Sequence, residues 1–314
     1  VGECLGEHVD NTLSRTDFVS LWNDRVFEKP MEGSSPEEAW DLLVRHAGKT
    51  ETLVDMTRLR GVLGCSQPPV EFCNPELGTH GPIVGTIHAA KGREADIVHL
   101  MMSEVEGEDT DFDEEARVVF VGATRPRSKL IIGKGFGSDY TSSLEKTGRV
   151  YKRLRAKYGS KVRAQVEVGR AQDIDVEGIA GRSIFENSQV VQDAQDILSN
   201  TPFKIQKARV SVEYPEFTYK LLLEDSEDVL AVLSDQLKDD IFSIGNIIYS
   251  KTGGDKVRPP LRFKHLYVIG VRTLVLGPDS PMAETLLAPW NKSGIMLAPI
   301  ITGLVPLNYK PRKN

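Results

Sequence analysis

Residues 83–132 alternate apolar, strand-like runs with a glycine-containing loop and one helix. Residues 83–87 and 96–102 are rich in β-branched and other apolar residues, as buried strands are. A helix is predicted at residues 114–124 and a further strand at residues 129–132. Strands that alternate with helices in this way are typical of an α/β domain with a parallel sheet.

The start of the chain is predicted to be helical. Apolar residues three and four positions apart predict a helix around residues 18–26. Ser35-Pro36-Glu37-Glu38 is a helix start, because serine caps the first turn, proline suits the first helical position and Glu38 can reach back to the cap. A third helix is predicted at residues 51–63. We therefore expect residues 1–82 to be a helical, insertion-like segment, followed by an α/β segment at residues 83–140.

The last block, residues 141–314, is predicted to be β-rich with a few helices. Strands are predicted at residues 162–168, 205–212, 217–223, 241–249, 263–276 and 295–304. Helices are predicted at residues 142–158, 189–198 and 227–237. This mixture indicates an appended α+β domain.

Bulk properties restrict the class of protein. No apolar run is long enough for a membrane span and no signal-peptide pattern opens the chain, so we expect a cytoplasmic protein with no membrane partner. Three cysteines are too few for a disulfide framework, and the spacing of Cys65, Cys73 and His80 is not that of a zinc site, so no metal site is expected. The net charge of −6 argues against a uniformly basic nucleic-acid-binding surface.

Residues 83–98 read I-V-G-T-I-H-A-A-K-G-R-E-A-D-I-V. This segment resembles motif V of the UvrD/Rep-like superfamily 1 DNA helicases, T-x-H-x-A-K-G-L-E-F before an apolar strand. The resemblance implies that Thr86, His88 and Lys91 contact the translocating DNA strand. Thr86 and His88 would follow the end of a strand, where α/β sheets present ligand contacts. The alternatives are an ordinary strand threonine and a surface or capping histidine.

The same resemblance implies nucleotide contacts from the glycine loop. Glu94 would accept a hydrogen bond from the ribose of the nucleotide. Gly92 would allow a backbone bend that a side chain would obstruct. Arg93 and Ala95 stand where the family has leucine and phenylalanine, which alters the packing behind the loop.

Residues 114–130 read E-E-A-R-V-V-F-V-G-A-T-R-P-R-S-K-L and resemble motif VI, E-E-x-R-x-x-Y-V-A-x-T-R-A-x-x-x-L. The resemblance implies that Arg125 is an arginine finger, which acts across the interface of two RecA-like domains on the γ-phosphate of ATP. The alternative is a helix C-terminal arginine that interacts with the helix dipole. Pro126 replaces the usual alanine and restricts the backbone of Arg125 away from the helical region. Arg117 could be a second phosphate or interface contact, or it could pair with Glu114, and we favour this structural role.

The chain contains no G-x-x-x-x-G-K-[ST] phosphate loop. The segment Asp113-Glu114-Glu115-Ala116 looks like the acidic Mg²⁺ box of motor ATPases, but it leads into a helix and follows motif V. We therefore interpret it as the start of motif VI. The resemblance thus implies half of a split site: ATP and Mg²⁺ would serve the full-length enzyme, with no cofactor held tightly by this part alone.

These expectations combine into one hypothesis. The chain is predicted to be the C-terminal portion of an ATP-dependent DNA helicase, inactive alone, whose partners are single-stranded DNA and the missing N-terminal RecA-like domain. The expected fold class is α/β: a partial RecA-like (P-loop NTPase-like) second motor domain with a helical insertion and an appended β-rich α+β domain.

An alternative function remains open. The departures at Arg93, Ala95 and Pro126 would fit a non-catalytic module on a helicase scaffold, whose C-terminal block binds a protein partner or nucleic acid. Residues 151–163 and 249–264 interleave basic and aromatic residues, as single-strand grooves do, although solvated basic faces are the interpretation we favour.

Overall fold

The protein has a mixed α/β structure that divides into two compact units. The computed structural model describes residues 2–26, 35–72, 83–102, 112–134, 142–154, 162–200, 205–214, 217–250, 257–258 and 260–311. Unit 1 comprises Val1–Glu76 and Leu144–Asn314, and unit 2 comprises Leu77–Ser143. The sequence predicted three successive segments. The structure instead groups the first with the last, and unit 2 lies between them in the sequence.

The first part of unit 1 is a small helical block with a short antiparallel sheet in the order β1-β3-β2. Its elements are α1 (Gly2–Leu5), β1 (Thr12–Ser14), α2 (Arg15–Val26), α3 (Pro36–Ala47), β2 (Gly48–Thr50), β3 (Leu53–Asp55) and α4 (Met56–Leu63). The predicted cap of α3 is confirmed: the Glu38 N–H donates to Ser35 Oγ, and the Ser35 N–H donates to Glu38 Oε2, both at 3.1 Å. The predicted helix at residues 51–63 is shorter, because Asp55 caps α4 by accepting from the Arg58 N–H at 3.0 Å.

The second part of unit 1 is built on an antiparallel sheet with the strand order β11-β10-β9-β13-β14-β8-β7, in which β12 also pairs with β14. The strands are β7 (Val150–Leu154), β8 (Val162–Val168), β9 (Gln206–Glu213), β10 (Thr218–Leu223), β11 (Val229–Val232), β12 (Val257–Arg258), β13 (Leu266–Val275) and β14 (Ile295–Pro311). The helices are α6 (Glu177–Ala180), α7 (Ser188–Asn200), α8 (Asp235–Ser250) and α9 (Trp290–Ser293). Side chains from α7 and α8 bury the inward residues of the strands in one core.

Most predicted strands of this block are confirmed, and three predicted elements are wrong. Residues 241–249 lie in α8, not in a strand. Residues 227–237 contain β11, and the described part of residues 142–158 contains strands, not a helix. The buried residues of α8 recur three and four positions apart, and this helical spacing outweighs the preference of isoleucine for strands. These residues are Leu237, Ile241, Ile244 and Ile248.

Arg60 of α4 joins the two parts of unit 1. Its guanidinium donates to the carbonyl oxygens of Leu276 at 3.1 Å, Gly277 at 3.3 Å and Lys292 at 3.1 Å. Lys292 lies in the last turn of α9, where the helix dipole favours a positive charge. Burial lowers the pKa of Arg60, so the carbonyl oxygens hold a cation that has lost part of its hydration.

Unit 1 also contains a buried charge cluster around Arg149, whose side chain is 0% exposed. Arg149 Nε donates to Asp240 Oδ2 at 2.5 Å, and Nη2 donates to Asp173 Oδ1 at 2.6 Å. Burial lowers the pKa of Arg149, but the hydrogen bonds and charges of Asp173 and Asp240 outweigh this effect and raise it above its ordinary value. The cluster ties the start of β7 to α8 and to the turn after β8.

Unit 2 is a parallel β-α-β arrangement. Its elements are β4 (Ala95–Met102), α5 (Phe112–Ala123), β5 (Pro126–Lys134) and the two-residue β6 (Ser142–Ser143). The strands β4 and β5 pair in parallel, as predicted. The helix α5 approaches β4 closely, because a Cβ added at Gly122 would lie 2.8 Å from Leu100 Cδ1.

The predicted strand at residues 83–87 is wrong. Residues 83–86 belong to no strand and lead into a 3-10 turn at His88–Ala90. Ile83 and Val84 are 55% and 92% exposed. An apolar run forms a strand only beside a partner strand, and β4 and β5 pair with each other in the described part of unit 2.

Large apolar side chains remain exposed on unit 2. Ile97 and Met101 of β4 alternate along the face opposite Leu100, and they are 54% and 56% exposed. Ile132 of β5 is 63% exposed. Parallel sheets are normally covered on both faces, so this exposure is unusual for a parallel pair of strands. No described helix in either unit is long and apolar enough to cross a membrane.

Candidate functional site

The two motif segments meet at the N-terminal ends of β4 and β5. The Ala95 N–H donates to the carbonyl oxygen of Arg125 at 3.2 Å, and Ala95 pairs with Pro126 in the parallel register. Glu94 and Arg125, which are separated by thirty residues in sequence, are therefore held at the same end of the strand pair. The expectation that Thr86 and His88 follow the end of a strand at residues 83–87 is wrong, because residues 83–86 form no strand.

Thr86 caps the 3-10 turn that presents His88. Its Oγ1 accepts from the Ala89 N–H at 3.2 Å, and its carbonyl oxygen accepts from the Ala90 N–H at 3.2 Å. Because a hydroxyl both accepts and donates, the O–H of Thr86 remains a possible donor to a phosphate. The side chains of His88 and Lys91 are exposed on the same loop.

Gly92 is required by its backbone conformation. Its φ is +79°, a region that residues with a side chain rarely adopt. An added Cβ would have no atom within 4 Å. The predicted backbone bend at Gly92 is therefore confirmed: a side chain would strain the left-handed backbone itself, although it would meet no neighbouring atom. The contact of Gly92 with a nucleotide stays a prediction.

Arg125 is the second residue after the end of α5, and its side chain turns back onto the helix. Its Nε donates to the carbonyl oxygen of Val121 at 2.8 Å, and its Nη2 donates to Thr124 Oγ1 at 2.9 Å. Arg125 lies outside the helix and Pro126 begins β5, as the effect of proline on the preceding residue predicts. The contacts shown are those of a helix C-terminal arginine. The role in phosphate chemistry stays a prediction.

Arg127 links the two motif segments through a contact that the sequence did not predict. Its Nε donates to Glu94 Oε2 at 3.1 Å, with both side chains more than half exposed. Ser128 Oγ donates to the carbonyl oxygen of Asp96 at 2.6 Å, one residue beyond Arg127 and two residues beyond Glu94. Only the parallel register could have indicated this pair, because the two residues are thirty-three positions apart.

Charge is unevenly distributed over unit 2. The basic residues at the N-terminal ends of the strands are Lys91, Arg93, Arg125 and Arg127, beside the acidic Glu94 and Asp96. The acidic first turn of α5 lies about 18 Å away along this twelve-residue helix. Within an acidic chain, the N-terminal ends of β4 and β5 therefore carry a local excess of basic residues.

The remaining candidates have structural contacts. Arg117 pairs with Glu114 at 3.8 Å on the surface of α5, which is the interpretation favoured from the sequence. Tyr151 and Phe263, two aromatic residues of the basic stretches, are buried and do not present a ring for base stacking. Tyr158, Cys73 and His80 lie outside the described residues. No group of three metal-ligating side chains occurs in the described part of the chain.

Comparison with known proteins identifies the middle of the chain. Residues 82–134, which span both motif segments and the β4-α5-β5 arrangement, match the family model of the UvrD-like helicase C-terminal domain. No curated protein and no solved structure matches the chain. The chain therefore carries a segment at residues 82–134 that matches the UvrD-like helicase C-terminal domain, which supports a helicase-related function.

Proposed function

We propose that this chain is the C-terminal portion of an ATP-dependent DNA helicase or translocase. In this proposal unit 2 is the closing half of a second RecA-like domain, with unit 1 as an appended accessory structure. The observation that carries the proposal is the hydrogen bond between Ala95 and Arg125, which brings the predicted nucleotide residues Glu94 and Arg125 to one basic end of a parallel strand pair. The exposed apolar side chains of β4 and β5 support it, because a complete parallel sheet would cover them.

Arg125 is proposed to act on the γ-phosphate of ATP that is held mainly by another domain. This chain has no phosphate loop, so the β-phosphate and Mg²⁺ would be bound elsewhere. A guanidinium has five N–H donors, and the contacts to Val121 and Thr124 involve Nε and Nη2. The side chain would leave these two acceptors when it turns toward the phosphate.

Thr86, His88 and Lys91 are proposed to contact single-stranded DNA. The exposed ammonium of Lys91 would neutralise a phosphate, while the hydroxyl of Thr86 and the ring of His88 would contact the strand beside it. The capped 3-10 turn holds these side chains on one short loop. A Cβ added at Gly122 would lie only 3.5 Å from the side chain of Ile87, so α5 is close to this loop. Nucleotide-dependent movement of α5 would reach the loop through this close approach.

The ATPase proposal is tested with and without a phosphate-loop domain. The chain alone should show no Mg²⁺-dependent, DNA-stimulated ATP turnover. With that domain supplied, Arg125→Ala should lower kcat by roughly 10³- to 10⁵-fold. Arg117→Ala, a change of the same kind on the surface of α5, should leave kcat unchanged. Turnover by the chain alone, or an unchanged rate in Arg125→Ala, would refute this division of roles.

DNA binding is tested on the chain itself by fluorescence anisotropy with a labelled single-stranded oligonucleotide. Lys91→Ala should weaken binding and reduce the slope of log K against log salt by about 0.7, the value for one lost phosphate contact on a single strand. Lys146→Ala removes an exposed lysine of unit 1 and should change neither quantity. Equal effects of the two variants would contradict a DNA contact at Lys91.

A further inference from the structure

Arg127 is placed where it can control the direction of the Glu94 carboxylate. We propose that Arg127 is a positioning residue, which holds Glu94 so that its carboxylate meets the ribose hydroxyls of the bound nucleotide. The proposal rests on the function proposed above, and it adds a residue that neither motif pattern specifies.

The geometry of β4 and β5 makes the contact between Arg127 and Glu94 a reproducible one. The carbonyl oxygen of Arg125 accepts from the Ala95 N–H, and Ser128 Oγ donates to the carbonyl oxygen of Asp96 at 2.6 Å. Along β5 these two bonds lie on either side of Arg127, and along β4 they involve the two residues that directly follow Glu94. The backbones that carry the guanidinium and the carboxylate are therefore fixed relative to each other.

The chemistry of a carboxylate allows Glu94 to bind both groups at once. Arg127 Nε donates to Oε2 at 3.1 Å. An ionised carboxylate has two oxygens and about four acceptor positions, so a ribose hydroxyl can donate to it while Arg127 stays in place. Without Arg127, an exposed glutamate would have to be ordered by the nucleotide itself, and the cost of ordering would reduce the affinity for the ribose.

The pair is too exposed to be required for folding. Glu94 and Arg127 are 56% and 64% exposed, and ion pairs of this kind contribute little to stability. An effect of Arg127 on activity would therefore report on nucleotide binding. Heat unfolding of the Arg127→Ala chain should match that of the wild type and serves as the control for folding.

The test measures nucleotide selectivity in the intact motor, that is, this chain together with the domain that carries its phosphate loop. KM and kcat are determined for ATP, 2′-deoxy-ATP and 3′-deoxy-ATP. In Arg127→Ala the KM for ATP should rise about two- to tenfold, the range for one lost hydrogen bond, with kcat unchanged. The KM for the analogue that lacks the hydroxyl bound by Glu94 should not change. Arg127→Lys should restore part of the selectivity, and Arg117→Ala should behave as wild type.

Each other result overturns the proposal. An equal rise in KM for all three nucleotides would show that Arg127 acts on the phosphates. An unchanged KM would show that Glu94 is oriented without Arg127, and a lower KM would show that the pair competes with the nucleotide. Absence of turnover in the wild-type motor would refute the proposed helicase function, and this inference would fall with it.

Discussion

Replacing Arg149 with methionine is expected to destabilise unit 1 strongly, because it leaves two carboxylates buried without their cation. Arg149 and Asp173 are 0% exposed and Asp240 is 4% exposed. Methionine fills a similar volume, so the lost interactions are mainly electrostatic. Arg149 also donates from Nη1 to the carbonyl oxygen of Glu167 at 3.0 Å, which would lose this partner.

The magnitude follows from what remains after the change. Breaking one side of a buried ion pair typically costs about 3–5 kcal/mol. Asp173 would keep the N–H groups of Gly169 and Arg170, at 2.8 and 3.0 Å. Asp240 would keep Gln236 Nε2 at 3.0 Å, together with the Thr147 hydroxyl. These partners hold the loss within that range although two carboxylates are affected.

Urea and heat unfolding, followed by the fluorescence of the buried Trp40 and Trp290, would measure the loss. For a unit of this size it corresponds to a fall in Tm of roughly 6–20 °C. Arg163→Met changes an exposed arginine of β8 and should have little effect. Adding Asp240→Asn to Arg149→Met should recover part of the loss, because one buried charge is removed. A loss below about 1 kcal/mol for Arg149→Met would refute the assignment of a buried, paired charge.

Three further predictions concern other parts of the chain. Arg60→Met should cost about 2 kcal/mol by leaving three carbonyl oxygens without their donor, and the same unfolding assay would measure it; no loss would contradict the role of Arg60 in joining the two parts of unit 1. Gly92→Ala should destabilise unit 2 by about 1–2 kcal/mol because the φ of this residue is positive, and Gly92→Asn should destabilise it less. Differential scanning calorimetry would measure both losses, and equal losses would contradict this explanation. Burial raises the pKa of Asp175 above 3.8, and the nearby charges of Glu177 and Asp235 add to the shift, although the N–H of Gly178 opposes it. The protonated carboxyl group of Asp175 therefore stabilises the fold below pH 3.8, and this contribution is lost as the pH rises through the folded pKa. Asp175→Asn should stabilise the protein at pH 7 and not at pH 3, and unfolding measured at the two pH values would test this.

Local patterns in the sequence predicted the elements that depend on neighbours in sequence. The alternation of apolar and polar residues predicted β8, and the sequence Ser35-Pro36-Glu37-Glu38 predicted the start of α3 and its cap. The alternation of strand, helix and strand predicted the parallel pairing of β4 and β5. In each case the residues that determine the element lie within one element or between two that are close in the chain.

Features that depend on distant partners were not predictable. The β-branched residues of α8 favour a strand locally, and their helical spacing became the decisive pattern only once Ile241 and Ile244 were seen to be buried against the sheet. Residues 83–87 have the composition of a strand, but they pair with no strand among the described residues of unit 2. The contact between Arg127 and Glu94 required the register of two strands, and the joining role of Arg60 required carbonyl groups more than two hundred residues away.

The position of unit 2 within the sequence of unit 1 affects how the protein folds during synthesis. The Gly2 N–H bonds Thr273 Oγ1, and Ile295 completes the core around Leu5 and Leu59. At about 5–20 residues per second, the ribosome needs roughly 10–50 s between finishing residue 72 and reaching residue 311. During that interval residues 2–72 have part of their apolar surface exposed to solvent, while the ribosome synthesises residues 82–134 and the rest of unit 1. Expression yield should therefore depend on translation speed and on chaperones that hold residues 2–72.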